Sequence, residues 1–179
     1  YRMNFGGQFW VEKADAFARQ LGAPVALSRV LERDLAKADA LSLDRAIVVS
    51  DGEDFFAEPN FDIVIELLGG ENPAYKYIRW SLEMGRYVVT ANKEVMAKHG
   101  PEILSLALQH GVDILYEASV GGGIPLIAVF KHDLCANSIT SIQAIINGTT
   151  NYIVTRMARE GTEFEAALSE AQKLGYAES

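Results

Sequence analysis

The densest chemistry in the chain lies between Asp113 and Pro125, which reads Asp-Ile-Leu-Tyr-Glu-Ala-Ser-Val-Gly-Gly-Gly-Ile-Pro. An apolar run ending at Tyr116 and Glu117 reads as a buried strand, and it opens into three glycines closed by a proline. Glycine backbone takes positive φ freely and approaches a ligand closely. In open α/β sheets, ligands collect at the carboxyl ends of strands. Taken alone, the three glycines fit a plain connection between two domains equally well. Two further strand ends have the same character: Gly69-Gly70 after the run Phe61 to Leu68, and Ala91-Asn92-Lys93 after Tyr87 to Thr90. His99, His110 and His132 are far apart, with no thiol or carboxylate cluster at ligand spacing, so a zinc site is not expected. Cys135, in Asp-Leu-Cys-Ala-Asn, reads as a buried helix residue rather than an activated thiol.

The elements that must position these residues follow a strand–helix alternation. Glu12 to Leu21 has helical apolar spacing with Gly22 as its stop. Val25 to Leu31 and Ala46 to Val49 read as strands, the latter closed by the turn residues Ser50-Asp51-Gly52. Phe61 to Leu68 is almost continuously apolar, as a parallel strand covered on both faces should be. Asn72 is placed to cap a helix with Pro73 at its first position, running through Ile78 and Leu82 to Gly85. After the strand Tyr87 to Thr90 come two helical segments, broken at Gly100-Pro101 and ending at Gly111, before the strand that enters the glycine loop. This alternation predicts a doubly wound parallel, Rossmann-like sheet over residues 1–121.

Beyond Pro125 the pattern changes. A short helix and a strand from Ile139 to Ile146 lead through Asn147-Gly148-Thr149-Thr150-Asn151 into a helix ending near Glu160. Thr162 and Glu165 form a capping box for a last helix, with Phe164, Leu168, Ala171 and Leu174 on one face and Gly175 as its stop. Residues 122–179 therefore read as the beginning of a second, α+β domain.

Composition narrows the function classes. The chain has 179 residues, 49% of them hydrophobic, enough for one good core or for one domain and part of another. Sixteen Lys+Arg against 24 Asp+Glu give a net charge of −8, which argues against general nucleic-acid binding but allows a local cationic pocket for a phosphate. No apolar run approaches the roughly 20 residues that span a bilayer, and the N-terminus lacks a basic-then-apolar leader pattern. One cysteine excludes an intrachain disulfide and fits a reducing compartment, so a cytoplasmic protein is expected.

Five blocks, in order, resemble the homoserine dehydrogenase family of the aspartate pathway: Val64-Ile65-Glu66-Leu67-Leu68-Gly69-Gly70, Val88-Val89-Thr90-Ala91-Asn92-Lys93, Tyr116 to Pro125, Asn147-Gly148-Thr149-Thr150-Asn151-Tyr152-Ile153 and Leu174-Gly175-Tyr176-Ala177-Glu178. The resemblance runs from about Ala16 to the end. It implies NAD- or NADP-dependent interconversion of L-homoserine and L-aspartate 4-semialdehyde, on the route to threonine, methionine and isoleucine. It also implies a homo-oligomeric full-length enzyme acting on a small molecule, with no nucleic-acid or membrane partner. Carried over by position, it puts Lys93 at the cofactor and substrate, Gly69, Gly70 and Gly175 at the cofactor, and Glu178 at the substrate's ammonium group. Arg33, after an early strand, would meet the 2′-phosphate of NADP. Glu117, Val120, Gly122 and Ile124 match a loop that wraps a monovalent cation, usually sodium, chiefly through backbone carbonyls.

Two departures temper this. A strand leading into Gly-x-Gly-x-x-Gly should open a dinucleotide-binding domain. Here only Gly6-Gly7 precedes the first helix. The family's main proton-transfer lysine is expected beyond Ser179, so the chain reads as a fragment with part of a catalytic apparatus. Two rivals stand beside this reading. One is a semialdehyde dehydrogenase working through a cysteine thioester, which would need Cys135 beside a base. The other is a non-catalytic dinucleotide-binding or assembly module.

Overall fold

A computed structural model describes residues 6–40, 43–57, 60–145 and 147–177. These fall into two compact units, one ending at Phe130 and the other beginning at Lys131. In the first unit the order is helix α1 (Gly6–Leu21), strand β1 (Val30–Leu31), α2 (Leu35–Ala40), a 3₁₀ turn (Arg45–Ile47) and β2 (Val48–Val49). It continues through α3 (Gly52–Ala57), β3 (Ile63–Glu66), α4 (Ala74–Glu83), β4 (Tyr87–Thr90), α5 (Lys93–Gln109), β5 (Ile114–Leu115) and α6 (Glu117–Val120).

All strand pairs are parallel, as the strand–helix alternation requires. They form two sheets, β1-β2 and β3-β4-β5, where the sequence predicts one. In the second, Val64 pairs with Val88, and Val88 with Ile114. The core lies on one face of this sheet: Ala74, Ile78 and Leu82 from α4 and Val95, Ile103 and Ala107 from α5 pack with Val88 and Ile114. Inward residues of β3 and β4 alternate Val64, Glu66 and Val88, Thr90, all buried. The opposite face departs from the expectation of cover on both sides: Ile63 is 56%, Ile65 39% and Leu115 59% exposed. An apolar run records only that a residue tolerates burial, and on that face these side chains keep much of their surface in solvent.

Several boundaries differ from expectation for local reasons. The strands over 25–31, 46–49 and 61–68 shorten to the few residues that find a parallel partner. Asp51 ends a strand as predicted, but its carboxylate accepts from the Glu53 amide and starts α3 rather than closing a turn. Pro73 itself occupies the N-cap of α4 with no side-chain capping bond, so Asn72 is not the cap. Helix α5 runs unbroken through Pro101. A proline crowds the Cβ of the residue before it, and Gly100, buried against Met96, has none. β5 is only two residues long, and Glu117 begins a helix instead of ending the strand.

The second unit contains the end of a π turn (Val129–Asp133), α7 (Gly148–Glu160) and α8 (Phe164–Lys173). Asn147 caps α7 by accepting from the Thr150 amide at 2.8 Å, and Gly161 ends it at φ +65°. Ile153 packs with Ala167 and Ala171. Arg156 bridges the two helices, reaching Glu160 at 2.5 Å and Glu170 at 2.7 Å. Glu163 takes the N-cap of α8 with no side-chain hydrogen bond, so the predicted Thr162–Glu165 capping box does not form. The buried face of α8 is its two alanines, while Phe164 and Leu174 are exposed. Residues 138–145 carry no strand and expose Ile139, Ile142 and Ile145; Ile146 lies outside the described residues. A strand needs a neighbour for its backbone, and none is present among the described residues.

Candidate functional site

Two adjacent parallel strands, β3 and β4, deliver their carboxyl ends side by side, and a ring of hydrogen bonds joins the loops that follow. Glu66 points into the core and is 4% exposed. One of its carboxylate oxygens accepts from the Leu68 amide at 2.7 Å and the other from the Thr90 hydroxyl at 2.5 Å. Thr90 Oγ1 in turn accepts from the Asn92 amide at 3.0 Å. The Asn92 side chain donates to the carbonyls of Gly70 at 2.7 Å and Leu68 at 3.2 Å. Its own oxygen caps α5 by accepting from the Val95 amide at 3.0 Å. Burial pushes the Glu66 carboxyl above its ordinary value, against the pull of the hydrogen bonds from Thr90, Leu68 and Asn92.

This ring holds Gly69 and Gly70 beside Lys93. Gly70 sits at φ +76°, and a Cβ built on either glycine would meet open space, so that side of the loop is uncovered while the Gly70 carbonyl turns to Asn92. Lys93, exposed, is the first residue of α5. The helix dipole disfavours a cation there and favours an anion, so Lys93 and the α5 N-terminus together present positive potential next to the glycine loop. Glu71 ties the far side of the loop to α5, pairing with Lys98 at 2.7 Å and His99 at 2.8 Å. Those two partners, Lys98 first, hold its carboxyl below the usual range. His99 also stacks on Tyr75, with ring centroids 4.0 Å apart.

The glycine loop after β5 is built differently. Both carboxylate oxygens of Glu117 turn back to accept the amides of Leu126, Ile127 (2.7 Å) and Ala128 (2.8 Å). Hydrogen bonds from these amides, Leu126 foremost, depress its pKa. Between them the backbone curls tightly: the Gly121 amide donates to Glu117 O, and the Ile124 amide to Gly121 O. A Cβ on Gly121 would lie 2.9 Å from Ile124 O, and Gly122 is left-handed at φ +62°.

The remaining predicted residues are scattered. Arg33 is exposed between β1 and α2, on the other sheet from Lys93. Gly175 ends α8 in the second unit at φ +78°. Glu178 lies outside the described residues. Cys135 is exposed in a turn just after the π turn, not buried on a helix, because no helix continues past Asp133. Among the described residues no three of His, Cys, Asp and Glu could hold a metal, and no helix is long and apolar enough to cross a membrane. Sequence reasoning quoted Glu66, Thr90 and Asn92 but gave them no role. The available signal was an acid two residues after Val64, on the inward face of a strand.

Comparison with known proteins gives a consistent result. Residues 7–117 match the family described as homoserine dehydrogenase, NAD binding domain, and residues 125–179 the family described as homoserine dehydrogenase. The homoserine dehydrogenase of Bacillus subtilis is 40% identical over 165 residues, covering 92% of this chain and 38% of that protein. That of Synechocystis is 47% identical over 147 residues, covering 82% and 34%. The crystal structure of a homoserine dehydrogenase from Thiobacillus denitrificans superimposes with a TM-score of 0.84 at 39% identity, over 97% of this chain and 40% of that one. A hyperthermophilic archaeal homoserine dehydrogenase in complex with NADPH does so with a TM-score of 0.80 at 25% identity, over 97% and 59%. The chain thus spans about two fifths of the length of the curated relatives it matches.

Proposed function

Because the chain belongs to the homoserine dehydrogenase family, we propose that the protein carrying it interconverts L-homoserine and L-aspartate 4-semialdehyde with NAD or NADP. The observation that carries this reading is Lys93, set just beyond the carboxyl end of β4 next to Asn92, whose side chain holds the Gly69–Gly70 loop. Those residues fit a dinucleotide: bare glycine backbone permits close approach, and a cation at a helix N-terminus suits an anionic or oxygen-rich ligand. When bound there, an oxidised dinucleotide would supply the acceptor for the hydride from C4 of homoserine, with the hydroxyl proton released to solvent.

The chain's own groups supply the rest of the binding. Lys93 donates to a hydroxyl on the nicotinamide side or polarises the carbonyl oxygen of the semialdehyde, and its fixed charge stabilises negative charge on that oxygen. Arg33 pairs with the 2′-phosphate when the dinucleotide is NADP, Gly175 contacts the cofactor, and Glu178 receives the substrate's ammonium. Sodium is held by the carbonyls of Glu117, Val120, Gly122 and Ile124. The commitment of the Glu117 carboxylate to three amides and the curl at Gly121–Gly122 support this, and oxygen-only donors suit a hard cation. The NAD(P)-binding domain is taken as residues 1–121 and the start of the catalytic domain as 122–179, supported by family matches that stop at 117 and resume at 125. Cytoplasmic residence and homo-oligomeric assembly belong to the same proposal.

Steady-state assay of the protein carrying this chain, with L-homoserine and each of NAD and NADP, is expected to give turnover with at least one. Absence of turnover with both overturns the reading.

A further inference from the structure

We propose that Glu66 is a positioning residue for the dinucleotide site, acting through Thr90 and Asn92 to keep the Gly69–Gly70 loop and Lys93 at a fixed separation. The proposal rests on the dehydrogenase reading above and adds a role for a residue that never meets the ligand.

The first support is where the acid sits. The other inward positions of β3, β4 and β5 are Val64, Val88, Thr90 and Ile114, all buried. An apolar residue at position 66 would extend that core with no desolvation cost, whereas a buried carboxylate costs stability unless its oxygens are satisfied. Burial raises the Glu66 pKa, so the environment opposes its charge. What the acid contributes must therefore be sought in geometry.

That geometry is a closed circuit. Glu66 reaches along its own strand to the Leu68 amide and across to Thr90 on β4. Thr90 takes the Asn92 amide, and Asn92 returns across the gap to the Leu68 and Gly70 carbonyls. Leu68 and Gly70 on one side and Thr90 and Asn92 on the other are thus tied together, so moving one loop against the other breaks at least one of these bonds. Lys93 is bonded directly to Asn92, whose oxygen also starts α5. A circuit of this kind sets the distance between the glycine backbone and the lysine, and a bound dinucleotide needs both at once.

The test uses Glu66→Gln, Thr90→Val and the double variant in the protein carrying this chain. Each is titrated with NADPH and with NADH by fluorescence and followed by thermal melting. Glutamine keeps the size of the side chain but cannot accept from both donors. The dissociation constant for the preferred dinucleotide is expected to rise about tenfold in each single variant. Because the two residues serve one circuit, the double variant should be no worse than the weaker-binding single. The melting temperature of Glu66→Gln should hold or rise, because the buried charge is gone. Unchanged affinity in both single variants overturns the proposal. So do affinity losses that add in the double variant and track falling melting temperatures, which mark a merely structural role. A wild-type protein that binds neither dinucleotide removes the dehydrogenase reading, and this role with it. A wild type that binds, with variants that bind equally well, removes this role alone.

Discussion

Lys93 opens α5 next to Asn92 and the loop that follows β3, and Lys98, further along the same helix, pairs with Glu71 and Glu94. The contrast predicts unequal consequences. Lys93→Ala should lower kcat/KM for homoserine oxidation by roughly 10²-fold, the scale of losing one preorganised group at the reacting oxygen. Lys98→Ala removes exposed pairs with Glu71 and Glu94 and should leave the rate nearly unchanged. Equal small losses in the two variants would return Lys93 to the solvated surface. Glu66 gives a second prediction, in pH. Its folded-state pKa is raised, so its contribution to stability is fully present below the ordinary value of 4.5 and is lost as pH climbs through the raised one. Melting curves should therefore show Glu66→Gln gaining on the wild type as pH rises through that window, and a constant difference would contradict the assignment. Of the proposed site, Lys93 and the glycines can be singled out in the sequence because their chemistry is intrinsic. Glu66 cannot be, since its role depends on which donors the fold brings to it.

At the scale of single elements, the turn from Glu117 to Ala128 is held by one side chain. The Glu117 pKa is lowered by the amides it accepts, so its contribution is present above 4.5 and is lost as pH falls through the depressed value. Glu117→Gln should speed hydrogen exchange at Leu126, Ile127 and Ala128, and acidification should do the same to the wild type. Protection that is indifferent to both would show that the carboxylate does not hold the turn. If the neighbouring carbonyls bind sodium, replacing it with a bulky organic cation at constant ionic strength should lower the melting temperature. Gly122→Val should erase that difference, because a β-branched residue resists the φ of +62° found there. Equal melting in both salts leaves the glycines as a simple connection. Helix ends were the most readable elements: Gly22, Gly85, Gly111 and Gly175 all take the positive φ that their place after a helix required. Pro101 was misleading, because the usual rule assumes a Cβ on the preceding residue and Gly100 has none.

Across the whole molecule, the parallel α/β class was legible from the alternation of apolar runs and helices. The division into two sheets and the bare face of β3-β4-β5 were not. Both depend on which segments meet, and an apolar strand looks the same in sequence whether or not its second face is covered. The same blindness explains 138–145, where isoleucines promised a strand that lacks a partner. Energetics should follow the observed burial: Ile78→Ala, fully buried on α4, should cost about 2–5 kcal/mol, whereas Ile63→Thr on the bare face should fall within about 0.5 kcal/mol of the wild type. Chemical denaturation of this chain measures both, and similar losses would mean that the face is covered in solution. Finally, every buried member of the main cluster lies between Ala74 and Ile114, in one uninterrupted stretch of chain. That arrangement has a kinetic meaning. A nucleus drawn from neighbouring segments closes only short loops, so it can condense during synthesis, before residues 131–179 have left the ribosome. Pulse-labelled refolding should accordingly protect the amides of α4, β4 and α5 before those of α7 and α8.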